Sequence, residues 1–159
     1  MALDFSLELE TSLEPFEISK MITKLKGFYE DKDDSRYFWA DGIYGGVRTL
    51  EGISQEVLEE EVGVRANRRI WYRLNTGENV YEQGQRNGLQ AFMTVLQGTD
   101  GDAVIRLNGD DVKLIRKNGK VILNSKSFFD DEEAIWRIKD VPLADFEVKE
   151  LDWDGKVVT

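Results

Sequence analysis

Two Asn-Gly dipeptides, Asn108-Gly109 and Asn118-Gly119, separate three short apolar runs in the second half of the chain. A type I′ turn needs φ > 0 at both central residues, which Asn and Gly tolerate best, so Asn-Gly between apolar runs is the strongest short-range hairpin signal. The spacing predicts three antiparallel strands over 103–107, 112–116 and 121–123.

Upstream, Leu3, Phe5, Leu7 and Leu9 alternate with Asp4, Ser6, Glu8 and Glu10, which predicts a half-buried strand from Ala2 to Glu10. Pro15 then stands where a helix would begin, and Ile18, Met21, Ile22 and Leu25 fall at i, i+3, i+4 and i+7, predicting an amphipathic helix that ends near Gly27. Residues 30–36 are almost wholly charged and read as a solvated loop, followed by one aromatic strand over 37–50 with a bulge or turn at Gly42, Gly45 and Gly46. Between Ser54 and Glu61 the pattern is mixed: Val57, Leu58 and Val62 suit a short helix, yet a strand over 59–65 that forms a hairpin with Ile70, Tyr72 and Leu74 is favoured. A long helix is expected from Asn79 to Gln97, opened by an Asn79/Glu82 capping box; Gly84 and Gly88 in its interior point either to close packing on the sheet or to a break in the helix near Gly84.

Together these elements predict an α+β fold, an antiparallel sheet with two helices packed on one face and the C-terminal three-stranded meander. The 159 residues suit a single domain over 1–159, its core spanning about 1–125. An extension over 126–159, with Phe128, Phe129, Trp136 and Trp153, carries enough apolar surface to pack onto that core.

Composition narrows the function. Neither cysteine nor histidine is present, which removes disulfides, thiolate metal sites and every nucleophile that depends on an imidazole base. No apolar run reaches the length of a membrane span and the first residues have no signal-peptide pattern, so a soluble, cytoplasmic protein is expected. Thirty-one acidic against 21 basic residues leave a net charge of −10, which repels phosphate backbones and lipid headgroups. The excess acid is either a solubility device or a means of steering toward a basic partner.

The acidic clusters are Glu59-Glu60-Glu61, Asp130-Asp131-Glu132-Glu133, Asp31 with Asp33 and Asp34, and Asp110-Asp111. Charge runs of this kind usually just face water; as binding determinants they would meet Lys or Arg on a partner. Asp100, Asp102, Asp110 and Asp111 offer oxygen ligands, but the third regularly spaced ligand and the terminal Glu of a calcium loop are missing. Neither a metal nor a cofactor is therefore expected. Trp71 alternates against Ile70 and Tyr72, so one aromatic in this run faces outward, where Trp and Tyr serve as interface anchors.

The run 101–109, Gly-Asp-Ala-Val-Ile-Arg-Leu-Asn-Gly, with 112–116, Val-Lys-Leu-Ile-Arg, and 119–124, Gly-Lys-Val-Ile-Leu-Asn, resembles the meander of the Sit-type immunity proteins of bacterial swarm-inhibition toxins. The opening Met1-Ala2-Leu3-Asp4-Phe5-Ser6-Leu7, the stretch from Gly63-Val64 to Tyr72-Arg73-Leu74, and Ala91-Phe92-Met93 fall in the same order, so the resemblance covers residues 1 to about 125. It implies a small, non-enzymatic cytoplasmic protein that binds a cognate toxin domain and blocks it, with no catalytic residues to carry over. The expected mechanism is stoichiometric occlusion of a basic toxin domain through an acidic surface, with Glu59, Glu60, Glu61, Trp71, Asp130, Asp131, Glu132 and Glu133 as contacts. Two other classes compete with it: a carboxylate-based enzyme or small-ligand binder with a pocket lined by Trp39, Tyr44 and Trp71, and an acidic scaffold or nucleic-acid mimic.

Overall fold

The computed structural model describes residues 3–159. Strand β1 (Leu3–Leu9) runs through the centre of a nine-stranded sheet of order β2-β3-β4-β5-β1-β6-β7-β8-β9. The other strands are β2 (Tyr29–Glu30), β3 (Tyr37–Ala40), β4 (Ile43–Thr49), β5 (Arg68–Leu74), β6 (Ala103–Leu107), β7 (Asp111–Lys117), β8 (Lys120–Asn124) and β9 (Glu147–Lys149). Every neighbouring pair is antiparallel except β8 and β9, which run parallel. The helices are α1 (Pro15–Thr23), α2 (Ile53–Val62) and α3 (Tyr81–Gln97). The α+β architecture expected from the sequence is the one observed; of the first strand as read, Ala2 lies outside the described residues.

Both turns of the meander follow from their Asn-Gly pairs, with φ of 52° and 82° at Asn108 and Gly109 and 51° and 80° at Asn118 and Gly119. The first hairpin carries a bulge in β7, where Lys113 is the extra residue opposite the step from Ile105 to Arg106 in β6. It changes the facing along β7, so that Leu114 enters one core while Val112 enters another.

Helices α1 and α3 pack on one face of the sheet, where Ile18, Ile22, Phe92 and Val95 meet Leu7, Leu9, Ile70 and Tyr72. Pro15 fixes the first turn of α1, and the Glu14 amide donates to the Glu17 carboxylate at 3.1 Å. The interior glycines of α3 meet the sheet at van der Waals limits. A Cβ on Gly84 would lie 2.6 Å from the Gly42 carbonyl oxygen, and one on Gly88 would lie 2.1 Å from the Tyr72 ring.

Several local expectations are corrected. Residues 53–62 form α2, so there is no strand over 59–65 and no hairpin with Ile70 to Leu74; β5 pairs with β1 and β4 instead. Leu58 and Val62, four residues apart, are the buried positions of α2, and Gly63 ends it in the left-handed region at φ 73°. The aromatic segment 37–50 is a hairpin of two strands that turns at Asp41-Gly42, while Gly45 and Gly46 lie inside β4. Glu30, read as loop, pairs with Phe38 in β2. Helix α3 starts at Tyr81 without the Asn79/Glu82 capping box, because a turn anchored on the Gly77 carbonyl opens it.

Helix α2 crosses to the other face of the sheet, where Leu58 and Val62 join Val104, Val112, Ile115 and Leu151 in a second, smaller core. Phe128, Trp136 and Val141 from the C-terminal segment enter the first core, with Trp136 5.3 Å from Phe5 between ring centroids. Buried Asn124 ties that segment down: its amide donates to the Val112 carbonyl at 2.7 Å and its oxygen accepts from the Lys126 amide at 3.1 Å.

Candidate functional site

Because α2 covers only the β6–β7 end of its face, the same face of β3, β4, β5 and β1 has no helix over it among the described residues. Strand alternation sends a defined set of side chains there. One cross-strand row reads Trp39, Tyr44, Arg73, Asp4; the next reads Tyr37, Gly46, Trp71, Ser6, Arg106; the third reads Arg48, Arg69, Glu8, Val104. The open face is thus aromatic toward β3 and cationic toward β1.

Tyr37 and Tyr44 lie nearly parallel with centroids 6.1 Å apart, and both present themselves edge-on to Trp71 at 6.3 and 6.1 Å. Gly46 makes this arrangement fit, since a Cβ there would stand 2.8 Å from the Tyr37 ring and 3.3 Å from Trp71. Trp39 stacks on Tyr29 at 4.4 Å, extending the platform to the sheet edge. Trp39, Tyr44 and Tyr29 remain 45%, 44% and 52% exposed. The outward Trp71 expected from the sequence is present and half-buried.

The cationic part is organised by Glu8, a carboxylate with no solvent exposure. Glu8 accepts from Arg69 Nε at 2.9 Å, from Arg106 Nε at 3.1 Å and from the Ser6 hydroxyl at 3.1 Å. Arg106, nearly buried itself, also donates to Glu61 at 2.9 Å and to the Gly109 carbonyl. Burial opposes the Arg106 charge, but Glu8 and Glu61 outweigh it and raise its pKa. Arg73 grips Asp4 through Nε at 2.8 Å and Nη2 at 3.1 Å. A groove of about 450 Å³ runs among these groups, with Arg48, Arg69, Trp71 and Arg73 in its walls.

Acidic groups border the open face at both ends. At the aromatic end the Tyr44 hydroxyl donates to Asp31 at 3.4 Å, and burial followed by Asp31 raises the Tyr44 pKa. Asp34, gripped by Arg36 at 2.7 Å, is held at about 2. At the other end stand the exposed Glu59, Glu60 and Glu61 on α2, with Glu59 paired to Arg65 at 3.0 Å and Glu61 reaching Arg106. The structure therefore brings Trp71 and Glu61 onto one side of the molecule. Asp130, Asp131, Glu132 and Glu133 form an exposed turn elsewhere; Glu133 borders a groove with Leu3, Phe5, Tyr81 and Gln85, on the face that carries α3.

Among the described residues, no three acidic side chains are grouped to hold a metal ion. Asp102 accepts from the Asn118 amide at 2.9 Å, and Asp111 pairs with Lys113 at 2.7 Å. Of the pocket expected from Trp39, Tyr44 and Trp71, the latter two line a groove with Arg73, while Trp39 is turned to Tyr29. Glu8 and the arginines of the open face were not singled out from sequence. Strand alternation places Arg69 and Arg73 beside Trp71, but their partners come from β1, β4 and β6, and no local pattern gives that register.

A family model described as SitI3-like matches residues 3–133 of the chain, which takes in β1 through β8 and the Asp130–Glu133 turn. No curated protein and no solved structure matches it.

Proposed function

The chain belongs to the SitI3-like family, a Sit-type immunity family, and from that premise we propose that it binds a cognate toxin domain one to one and neutralises it by occlusion. The contact is the open sheet face, with Trp71, Tyr44 and Trp39 as anchors and an acidic surface around them that includes Glu59, Glu60 and Glu61. The observation that carries this reading is the aromatic platform left without a covering helix between two carboxylate clusters. Aromatic groups and Arg at the centre with charge at the rim are the composition of tight interfaces, where the anchors supply affinity and the rim sets encounter rate and specificity.

A net charge of −10 favours a basic toxin domain as partner. The Asp130–Glu133 turn, on the other side of the sheet, contributes to long-range attraction and makes no direct contact in this arrangement. The protein performs no catalysis in this role. No helix among the described residues is long and apolar enough to cross a membrane.

The test is co-expression with the toxin domain encoded beside this chain, scoring host survival and then recovery of a one-to-one complex. Trp71→Ala and reversal of Glu59, Glu60 and Glu61 to Lys are expected to weaken both, whereas reversal of Asp130 to Glu133 changes mainly the association rate at low salt. Loss of neither survival nor complex in the first two variants refutes the assignment of this face. Death of the host despite abundant folded protein refutes the immunity reading itself.

A further inference from the structure

Arg48 and Arg69 are direct cross-strand partners on the open face, and like charges in that relation destabilise a sheet unless an anion offsets them. Only Arg69 has one. Its Nε is engaged by Glu8, while its two terminal nitrogens make no hydrogen bond among the described residues. Arg48 is exposed and forms no side-chain hydrogen bond or ion pair among the described residues. Glu8, fully buried and shared with Arg106, cannot turn to serve both arginines. Two guanidinium edges thus project into the groove beside Trp71 with their donors unused.

The wider charge balance points the same way. Four guanidinium groups, of Arg48, Arg69, Arg73 and Arg106, face three carboxylates, of Asp4, Glu8 and Glu61, so the centre of the open face is cationic in a strongly acidic molecule. Planar guanidinium groups with paired donors match a carboxylate bidentately. The size of the excess and its surroundings select the ligand. A polyanion laid across this face would meet Asp31 and Asp34 at one end and Glu59 to Glu61 at the other, whereas one carboxylate carried on a basic surface meets attraction throughout.

We propose that Arg48 and Arg69 form a receptor for an Asp or Glu side chain of the toxin domain, seated against Trp71 and surrounded by the contacts of the acidic rim. This rests on the immunity reading above and adds the charge pattern of the partner: an acidic group at the centre of its contact surface, basic groups around it. Glu8 acts as a positioning residue, because holding Arg69 by Nε leaves the terminal nitrogens aimed outward.

Arg48 is the residue to change, since it is exposed and holds no internal partner, so its variants keep the fold. Binding of the neighbouring toxin domain is measured by calorimetry for the unaltered chain, Arg48→Gln and Arg48→Glu, with circular dichroism melts as the folding control. Affinity is expected to fall about tenfold for Arg48→Gln and roughly a hundredfold for Arg48→Glu, the scale of losing one partner of a close interfacial charge pair. One Asp→Asn or Glu→Gln variant of the toxin domain should then be insensitive to Arg48→Gln, as partners in a pair must be. Unchanged or tighter binding by Arg48→Glu overturns the proposal while leaving the immunity reading intact, because tighter binding is what an all-basic partner surface would give. Absence of binding by the unaltered chain overturns both.

Discussion

Glu8→Gln removes one negative charge from the centre of the molecule and leaves its shape almost unchanged. Glu8 is fully buried, and the Arg106 side chain that it neutralises is only 7% exposed, so water replaces little of what is lost. Arg69 at 2.9 Å and Arg106 at 3.1 Å bind different carboxylate oxygens, so the carboxamide keeps an acceptor for one of them without its anionic charge and turns an NH2 toward the other guanidinium. Breaking a buried ion pair by removing one partner costs about 3–5 kcal/mol. The lower end applies here, because Arg69 remains 23% exposed and Arg106 keeps Glu61 and the Gly109 carbonyl. For a chain of this length about 3 kcal/mol corresponds to a fall in Tm of roughly 6–12 °C.

Urea and thermal unfolding of Glu8→Gln measure this cost directly. Glu61→Gln is the control, since that carboxylate is half-exposed and its pair with Arg106 is worth within about 1 kcal/mol. The double variant Glu8→Leu with Arg106→Met should recover most of the loss, because well-packed apolar replacements of a buried pair are close to neutral. A Glu8→Gln protein within about 1 kcal/mol of the unaltered chain would refute the reasoning, as would equal effects of Glu8→Gln and Glu61→Gln.

Gly88→Ala gains about 1 kcal/mol of helix propensity, yet it is expected to lower the Tm, because overpacking against the Tyr72 ring costs about 1–3 kcal/mol. Gln90→Ala on the exposed side of α3, within about 0.5 kcal/mol of neutral in a thermal melt, separates the two effects. Glu147 is held at about 2, below its ordinary 4.5, first by its hydrogen bond with Lys149 and then by Lys120. A lowered folded pKa stabilises above the ordinary value and loses that contribution as the pH falls from about 4.5 toward 2, so amide exchange in β9 should accelerate over that interval beyond its intrinsic pH dependence. Glu147→Gln should abolish that acceleration.

Where the sequence was decisive, the signals were local. The Asn-Gly pairs set both turns of the meander because φ > 0 at two successive positions leaves few other choices. Pro15 with the spacing of Ile18 and Ile22 gave α1, and alternation in β1 and β5 set which side chains share a face, including the outward Trp71. The sequence pattern hides helix α2 because only Leu58 and Val62 are buried in it and Glu59-Glu60-Glu61 carries no apolar period. The flanking Gly52 and Gly63 were the overlooked signal, both at positive φ.

The meander, helices α1 and α3, the facing of β1 and β5 and the acidic balance are legible along the chain, since each depends on neighbours within a few residues. The candidate site is not, because its residues meet only once the sheet is assembled. Alternation marks Glu8 as a polar position facing away from the α1–α3 core, yet it is completely buried, because β5 and β6 lay Arg69 and Arg106 against it and α2 closes over that end. Arg48 and Arg69, separated along the chain by the whole of α2, become direct neighbours only through the β4–β5 register. Register is fixed by burying the apolar sides of all the strands at once, so the pairing of charges across the open face is a consequence of the whole sheet and is written in no single segment.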